Sequence, residues 1–563
     1  MEICNNEYFY WVSFFKSEQF QKYLNALAKN LRNKKIILYC NGLYFDALVD
    51  SCNLKKKFNV IGISDIRYEN DNIEIYKGFK CIKPSRIKLT KVNCVVITSP
   101  NPKLIAKYLK ESNNLSFGVK ILPVYTEDEN IFSKIQLCFS YFNETKNLLK
   151  AMQYLLFCNN EELQVKINYA KVLKKIQGYK NKKIRVLFVC EENQKWAYNL
   201  IYKKLLEEDN FEVLPVVLYP IVTKNRVEFT QKNNIEFFKK QNIETIDGYD
   251  YENHRNIPIK VYEPDIVFYE QPWYLQGENN PVKVSEFALT ILLPYGYTTL
   301  NPKSWGSDSV KRVYSNLWMF FSESPYHNKF YEKAANMLGK DNLCAVGSAK
   351  FDAYKMPIVK EYESLWKGNG KRIIIAPHHS INNQGLGMGN FEEYYKFFLD
   401  FAKEHKEFSF ILKPHPALRS SCISAKFMTE EEYDNYIAEW KSLSNANVYE
   451  AGNYFEIFKT SDLMITDCSS FLAEYYPTNK PIILLDRKTR AKFDNFGEKI
   501  KKGFYIVNAP NELPNLINEL LIINNDKLKP VRNKILNKVF YLPQDFVSDS
   551  IIKYIKSQVE NFN

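Results

Sequence analysis

A short apolar run, a polar turn and a helical stretch follow one another repeatedly along this chain of 563 residues. The alternation is typical of α/β domains, because each helix returns the chain so that the next strand can pair in parallel with the previous one. It occurs in three blocks, which begin near residues 34, 184 and 372. We therefore predict an α/β protein that contains three units with parallel sheets.

The second and third blocks are similar in size and are joined by a polar segment that contains Gly368 and Gly370. Two Rossmann-like domains in tandem, facing each other across a cleft, are the outline of the GT-B architecture. We predict an acceptor-side domain over residues 184–365 and a nucleotide-donor domain over residues 366–563. A smaller N-terminal Rossmann-like domain over residues 1–143 and a helical linker over residues 144–183 precede this pair.

The first block lacks the glycine-rich loop that brings the backbone close to a dinucleotide pyrophosphate. Only Gly42 follows its first strand, although Asp65 ends the second strand where a ribose-binding acid would stand. We therefore expect no tightly bound cofactor here and favour a structural or acceptor-handling role. A bound dinucleotide is the alternative.

The composition excludes several classes of protein. Eleven cysteines are scattered without a CxxC pair, which suits a reducing compartment better than a disulfide framework. The first residues contain Glu2 and no basic stretch, so we expect no signal peptide. No apolar run approaches the ~20 residues that span a bilayer. A formal net charge of +13 and the lysines of residues 171–183 are compatible with an anionic membrane surface, but no nucleic-acid motif accompanies them.

Polar side chains follow several predicted strands, where ligands of open α/β sheets bind. In the segment from Ser461 to Glu474, a buried strand is followed by Asp467, Ser469 and Ser470. Hydroxyl and backbone N–H groups at the start of a helix can bind a phosphate, and Glu474 can accept a hydrogen bond from a ribose. The alternative is a simple helix cap, for which Asp and Ser are also well suited.

Three of the six histidines of the chain follow two strands of the third block. His415 stands in Lys413-Pro414-His415-Pro416, close to Arg419, and this group can hold a diphosphate and stabilise a leaving phosphate. His378 and His379 follow the first strand of the block and can transfer protons or contact phosphate. No Asp or Cys follows them at ligand spacing, so we predict no metal site.

The acceptor-side candidates belong to the second block. Tyr295, Gly296 and Tyr297 follow one strand, and Glu270 and Trp273 follow a neighbouring strand. An acceptor hydroxyl would approach the cleft from this side, although Tyr and Trp at such positions more often pack or bind sugar than carry out chemistry.

These motifs resemble those of the CDP-glycerol glycerophosphotransferase family, the teichoic-acid polymerases and primases. The resemblance covers about residues 184–560 and is most specific from Ser461 to Ile483, where Cys468 replaces the family's tyrosine. It implies that Ser469 and Ser470 hold the donor diphosphate and that His415 is the donor-phosphate histidine. It also implies a CDP-linked donor as the substrate and a glycan or lipid-linked polysaccharide as the acceptor.

One departure from the family concerns the acceptor side. The family's Trp-His-Gly motif carries its general base, but Tyr295 stands at the histidine position here, and an unperturbed tyrosine has a pKa near 10. His378 or His379 would then be the base. We predict a cytoplasmic transferase of capsule or surface-polysaccharide synthesis that moves a phosphoryl-containing group from a CDP-activated donor to a glycan hydroxyl and releases CMP. A peripheral location at the membrane surface is an option for it. The alternatives are a glycosyltransferase that uses a nucleotide sugar, for capsule or lipooligosaccharide synthesis, and a non-catalytic scaffold.

Overall fold

The structure is a computed structural model. It describes residues 8, 11–13, 15–16, 18–99, 102–112, 114–116, 118–124, 131–221, 227–273, 277–300, 308–382, 386–450 and 453–560. The chain divides into two compact units, of which the first comprises Met1–Lys171 with Leu338–Lys340. The second comprises Val172–Met337 with Asp341–Asn563.

The first unit is built on a four-stranded parallel sheet with the strand order β2-β1-β5-β6. Its central strands are buried along most of their length, which is why they appear in the sequence as nearly continuous apolar runs. The strands are β1 Lys35–Tyr39, β2 Asn59–Ser64, β3 Ile75–Tyr76, β4 Phe79–Lys80, β5 Cys94–Ile97 and β6 Lys120–Pro123. The helices are Glu18–Asn30, Leu43–Ser51, Leu54–Lys57, Pro102–Glu111, Ile131–Thr145, Leu148–Phe157 and Asn160–Gln177, the last of which continues into the second unit.

The acid that follows β2 is engaged by the protein itself. The Asp65 carboxylate accepts the backbone N–H of Asn41 at 2.9 Å, and Arg67 Nε donates to it at 2.8 Å. The Arg67 guanidinium also bonds to the Asn41 carbonyl. These contacts occupy the carboxylate that would otherwise meet a ribose at this end of the sheet.

The second unit contains two larger parallel sheets. The first has the order β10-β9-β7-β13-β14-β15-β16, with β8 pairing beside β7. The strands β8 and β9 are separated by Leu214 and Pro215, and the missing N–H of Pro215 interrupts the pairing. The strands are β7 Ile184–Cys190, β8 Phe211–Val213, β9 Val216–Leu218, β10 Thr245–Asp247, β11 Tyr249–Asp250, β12 Arg255–Asn256, β13 Ile266–Tyr269, β14 Leu289–Leu292, β15 Met319–Ser322 and β16 Leu343–Ala345. The helices around them are Asn199–Leu206, Val227–Lys239, Pro281–Val284, Asp308–Ser315, Pro325–Ala334 and Lys360–Glu363.

The other sheet of this unit has the order β19-β18-β17-β20-β21-β22, again with all strands parallel. The strands are β17 Lys371–Ala376, β18 Phe408–Leu412, β19 Ala446–Val448, β20 Leu463–Thr466, β21 Ile482–Leu485 and β22 Tyr505–Val507. The helices are Phe391–Glu404, Leu418–Ser424, Glu430–Ser442, Phe455–Thr460, Ser469–Glu474, Asn495–Lys501, Leu513–Leu521, Lys529–Lys538 and Val547–Val559. Buried side chains cover both faces of this sheet, so the predicted α/β class and pair of Rossmann-like sheets are confirmed.

The helix Val547–Val559 follows β22 in sequence. It nevertheless packs beside the sheet that contains β7, against the helix Asn199–Leu206. Its first turn is held by Asp352, whose carboxylate accepts the backbone N–H groups of Val547 at 2.8 Å and of Ser548 at 2.9 Å. The Ser548 hydroxyl donates to the same carboxylate at 2.5 Å.

Asp352 is expected to stabilise the protein through this cap. We expect Asp352→Ala to lower the free energy of unfolding by about 1–3 kcal/mol, because it leaves two buried N–H donors without an acceptor. Asp352→Asn, which keeps one acceptor oxygen, should cost less. Urea unfolding, together with hydrogen exchange over residues 547–559, measures both effects. Equal stability and unchanged exchange in Asp352→Ala would contradict the capping role.

Among the residues that the structure describes, no helix is both long enough and apolar enough to cross a membrane.

Candidate active site

A cavity of about 380 Å³ lies between the two large sheets of the second unit, at the ends of their strands. One side is formed by the segment after β7 and by Tyr295, and the other by residues that follow β17, β18 and β20. Five predicted site residues line this cavity, namely Tyr295, Lys413, His415, Ser470 and Glu474.

A second cavity of about 310 Å³ adjoins the first, since Tyr295 and Ser470 line both. It is lined by the segment after β14, by residues that follow β13, and by the start of the helix Ser469–Glu474. Its lining includes the remaining acceptor-side candidates and one predicted donor-binding serine, which are Glu270, Trp273, Gly296, Tyr297 and Ser469.

Lys413 is a buried cation without a carboxylate partner. Its residue is 3% exposed, and Nζ makes no hydrogen bond or ion pair with any residue that the structure describes. Burial lowers its pKa to about 8, so the ammonium is still the main form at pH 7. A buried charge is costly unless it is paired, so this lysine favours an anionic ligand in the first cavity.

The other two lysines of the first cavity have partners. Lys195 Nζ lies 2.9 Å from Glu192, and Lys350 Nζ lies 3.8 Å from Glu474. Tyr454 joins the second pair, because its hydroxyl donates to Glu474 at 2.5 Å. Of the three described lysines that line the first cavity, two are therefore paired with a glutamate, and the charge of Lys413 is not balanced.

The three histidines form a cluster in which the ring centroids lie 4.3, 4.4 and 5.3 Å apart. The Nδ1 atoms of His378 and His415 each accept a backbone N–H at 3.1 Å, from Ser380 and Ala417 respectively. Burial lowers the pKa of His378 to about 3 and that of His415 well below its usual value, so both rings are neutral. With Nδ1 accepting, the proton of a neutral ring is on Nε2, and each ring presents an N–H donor.

This hydrogen bonding also bears on metal binding. The ligand atoms of His378, His379 and His415 lie within 4.8 Å of one another, which is compact enough to surround an ion. If Nε2 of His378 or His415 bound a metal, the proton of that neutral ring would have to be on Nδ1. A protonated Nδ1 could not accept the hydrogen bond that it now accepts from the backbone N–H of Ser380 or Ala417. The cluster therefore suits an anion better than a cation.

Asp467 organises the histidine segment and does not line either cavity. Its carboxylate accepts the backbone N–H groups of His378 and Asn390, both at 2.6 Å. Burial raises its pKa to about 6. Arg419, predicted to bind the donor, instead pairs with Asp434 at 2.9 Å and Glu430 at 3.0 Å near the surface and lines neither cavity. His378 and His379 likewise line neither cavity.

Glu270 and Glu191 are two buried carboxylates that directly follow β13 and β7. Glu270 accepts the backbone N–H groups of Glu191 at 3.1 Å and Glu192 at 3.0 Å. The Glu191 carboxylate accepts Gln271 Nε2 at 2.5 Å, and Gln271 in turn accepts from Lys195. Burial raises the pKa of Glu191 to about 8 and that of Glu270 to about 7, with mutual repulsion adding to the rise for Glu191.

These raised pKa values predict that stability falls as pH rises. Above about pH 4.5 the two carboxyls lose their protons in the unfolded chain but keep them in the folded protein. Each such proton lowers the free energy of unfolding by about 1.4 kcal/mol for each unit by which the pH rises. The loss continues until the folded groups ionise near pH 7–8. We expect Glu191→Gln to gain stability relative to the natural chain between pH 5 and pH 8. Urea unfolding at pH 5, 6.5 and 8 tests this. The same difference in the free energy of unfolding between the two proteins at all three pH values would contradict it.

Lys195, Lys350 and Tyr454 line the first cavity but were not predicted from the sequence. Lys195 closely follows β7, so the rule that ligands bind at strand ends could have found it. Lys350 lies in a short 3₁₀ turn, Ala349–Lys355, and Tyr454 just before the helix Phe455–Thr460, and no local motif marks either of them.

Comparison with solved structures finds several chains of low sequence identity. The wall teichoic acid polymerase TagF, in a histidine-to-asparagine variant with CDPG, is 16% identical, with 76% of this chain and 99% of that chain covered and a TM-score of 0.45. UDP-GlcNAc 2-epimerase from Neisseria meningitidis, bound to UDP-GlcNAc, is 14% identical, with 67% and 100% covered and a TM-score of 0.44. No curated protein matches the chain.

The family comparison is more informative. Residues 288–520 match the family described as CDP-Glycerol:Poly(glycerophosphate) glycerophosphotransferase. This segment contains Tyr295, the three clustered histidines, Lys413 and the residues from Ser461 to Glu474. The resemblance predicted from the sequence is thereby confirmed over residues 288–520, and the prediction that the chain is an enzyme is confirmed with it.

Proposed function

We propose that this enzyme transfers glycerol phosphate, or a similar phosphoryl-containing group, from a CDP-activated donor to a hydroxyl of a cell-surface glycan such as a capsule, and releases CMP. The observation that carries the proposal is the buried, unpaired Lys413 beside His415 and Ser470 in the first cavity. A diphosphate is the ligand that such a group of donors fits. We expect the enzyme to act in the cytoplasm, at the inner membrane surface, where a net charge of +13 favours contact with anionic lipids.

The first cavity would hold the donor diphosphate. The Lys413 ammonium and His415 Nε2–H would bind the phosphate oxygens. The hydroxyl of Ser470, which lines both cavities, and that of Ser469, which lines the adjoining second cavity, would add hydrogen bonds. As the bond between the β-phosphorus and the bridging oxygen breaks, negative charge grows on the leaving CMP. Donors fixed in a buried cavity stabilise that charge better than water does, because they need not reorganise during the reaction.

Glu474 fits a second part of the donor. Its carboxylate is held by Tyr454 and lies near Lys350, and a Cβ added to Gly296 would meet Glu474 Oε1 at 3.1 Å. The segment after β14 therefore approaches this carboxylate closely, and Glu474 would accept hydrogen bonds from the ribose hydroxyls at that point. Asp467 would act indirectly, by holding the backbone of His378 in place.

Transfer of a sugar from a nucleotide sugar is the second candidate function. It is favoured by one observation, which is that Tyr295 stands where the family has its acceptor-side histidine. The same lysine and histidine donors would bind the diphosphate of either type of donor, so the leaving product separates the two candidates.

The test is to incubate the purified enzyme with CDP-glycerol or a UDP-sugar and poly(glycerophosphate) as the acceptor, and to identify the released nucleotide. Release of CMP from CDP-glycerol supports the proposal, whereas release of a nucleoside diphosphate from a sugar donor supports the second candidate. Thermal unfolding with CMP, CDP, UDP or GDP is the companion measurement. A nucleotide present at 100 times its Kd should add about 2.7 kcal/mol of stability.

A further inference from the structure

The proposed transfer needs a group that removes the proton from the acceptor hydroxyl. Tyr295 stands where the family carries a histidine, and burial raises its pKa further above 10, so it is a poor base at neutral pH. The group must also lie where an acceptor can reach the donor phosphorus. The second cavity meets this condition, because it shares Tyr295 and Ser470 with the cavity assigned to the donor diphosphate.

Glu270 is the only carboxylate among the described residues that line the second cavity. The other titratable lining residues are four tyrosines, whose pKa values are all raised by burial. Ser469 and Ser470 line the same cavity, so its walls carry an acid from one sheet and donor-binding hydroxyls from the other. An acceptor hydroxyl in this cavity would lie between the two.

We propose that Glu270 is the general base that activates the acceptor hydroxyl, in place of the histidine used by the family. The assignment rests on the proposed function for the identity of the donor. It makes Glu270 a catalytic residue and gives the second cavity the role of acceptor site.

The surroundings of Glu270 suit this role. The backbone N–H groups of Glu191 and Glu192 fix its two oxygens, at 3.1 and 3.0 Å, so the carboxylate is oriented before the acceptor binds. The charged and titratable groups around it are Cys190, Glu191, Glu192, Lys195, Tyr198 and Lys350. Burial raises its pKa to about 7, although the hydrogen bond with Cys190 and the charge of Lys195 act in the opposite direction. A general base is most effective when its pKa lies near the working pH.

The other candidates are less suitable. His378 and His379 line neither cavity, and His378 Nδ1 already accepts the backbone N–H of Ser380. Glu192 is paired with Lys195 at 2.9 Å and lines only the first cavity. Glu474 also lines only the first cavity and accepts the Tyr454 hydroxyl at 2.5 Å.

In the proposed step, a proton moves to Glu270 while one bond to the β-phosphorus forms and another breaks. The acceptor hydroxyl gives its proton to the Glu270 carboxylate while its oxygen forms a bond to the β-phosphorus of the donor. The bond between that phosphorus and the oxygen bridging to CMP breaks, and its electron pair leaves with CMP. The products are a new phosphodiester, CMP and a protonated Glu270, which then loses the proton to solvent.

The test compares Glu270→Gln with the natural enzyme and with Glu456→Gln as the matched control, because Glu456 is also buried and accepts a backbone N–H, from Val359, but lines neither cavity. The assay follows the nucleotide released from CDP-glycerol or, if that donor is inactive, from whichever nucleotide-activated donor the natural enzyme uses. The identity of the nucleotide reports on the proposed function, and the ratio of rates reports on Glu270. We expect Glu270→Gln to lower kcat by at least about 100-fold, as for the loss of a general base, with CDP binding and the unfolding temperature retained.

Two further readouts separate catalysis from structure. With a fluorinated acceptor, whose hydroxyl is more acidic, the defect of Glu270→Gln should shrink, whereas a structural defect would be the same for both acceptors. The kcat/KM of the natural enzyme should fall as the pH drops below about 7, because protonated Glu270 cannot accept a proton. This second readout applies even if the variant does not fold. A kcat within threefold of the natural value, an equal defect with both acceptors, or no acid limb near pH 7 would overturn the assignment.

Discussion

Replacing Lys413 with methionine is expected to lower turnover with the nucleotide-activated donor by about 100- to 1,000-fold. The substitution keeps most of the length of the side chain but removes its charge, which is the one lysine charge without a carboxylate partner among the described residues that line the first cavity. The diphosphate would then enter a buried site with too little positive charge, so both donor affinity and stabilisation of the leaving phosphate should fall. Steady-state kinetics with varied donor, together with the Kd for CDP, measure the two effects.

Lys480 provides a matched control for this experiment. It is partly buried, and burial also lowers its pKa to about 8. Its Nζ bonds to the backbone carbonyls of Phe458, Lys459 and Ser461, and it lines neither cavity. Lys480→Met should therefore lower stability and leave the Kd for CDP unchanged. If Lys413→Met binds CDP as tightly as the natural enzyme does, the donor site must be assigned elsewhere.

Replacing His415 with alanine is expected to lower turnover by about 100-fold, because one N–H donor to the diphosphate is lost. His415→Gln should recover part of this loss, since an amide N–H can donate in place of Nε2–H. This recovery distinguishes a hydrogen-bond donor from an acid or base, because glutamine does not titrate. Turnover of the two variants at saturating donor, and the KM for the donor, measure the difference.

The control for His415 is another histidine of the same domain. His405 lies near the surface, pairs with Glu407 at 2.7 Å and lines neither cavity. His405→Ala should behave like the natural enzyme. Equal turnover in His415→Gln and His415→Ala would show that hydrogen-bond donation is not the function of this ring.

The strands and most of the candidate site could be predicted because both follow from local patterns. β17, β18 and β20 are runs of apolar residues with clear ends, and the side chains that follow them are placed together by the parallel sheet. His415 and Ser470 therefore line one cavity although they are distant in sequence. The break between β8 and β9 is harder to predict, since the apolar run from Val213 to Leu218 continues through Pro215.

Contacts between distant segments could not be predicted in the same way. The role of Arg419 depends on Glu430 and Asp434, which a neighbouring helix brings beside it and which hold it near the surface. Lys350 reaches the cavity because the chain turns there between the two sheets, and its sequence neighbours give no sign of that turn. The protonation of His378 and His415 depends on which nitrogen meets a backbone N–H, which only the folded loops determine.

The Asp352 cap and the helix that it holds have a consequence for synthesis on the ribosome. The helix Val547–Val559 packs against Asn199–Leu206, so the first sheet of the second unit lacks one of its covering helices until residues 547–559 have emerged. At about 5–20 residues per second, the stretch between the end of β16 at Ala345 and the start of this helix at Val547 takes roughly 10–40 s to translate. During that interval the apolar surface that receives the helix is uncovered. The nascent chain therefore exposes a binding surface for chaperones that the finished enzyme does not have.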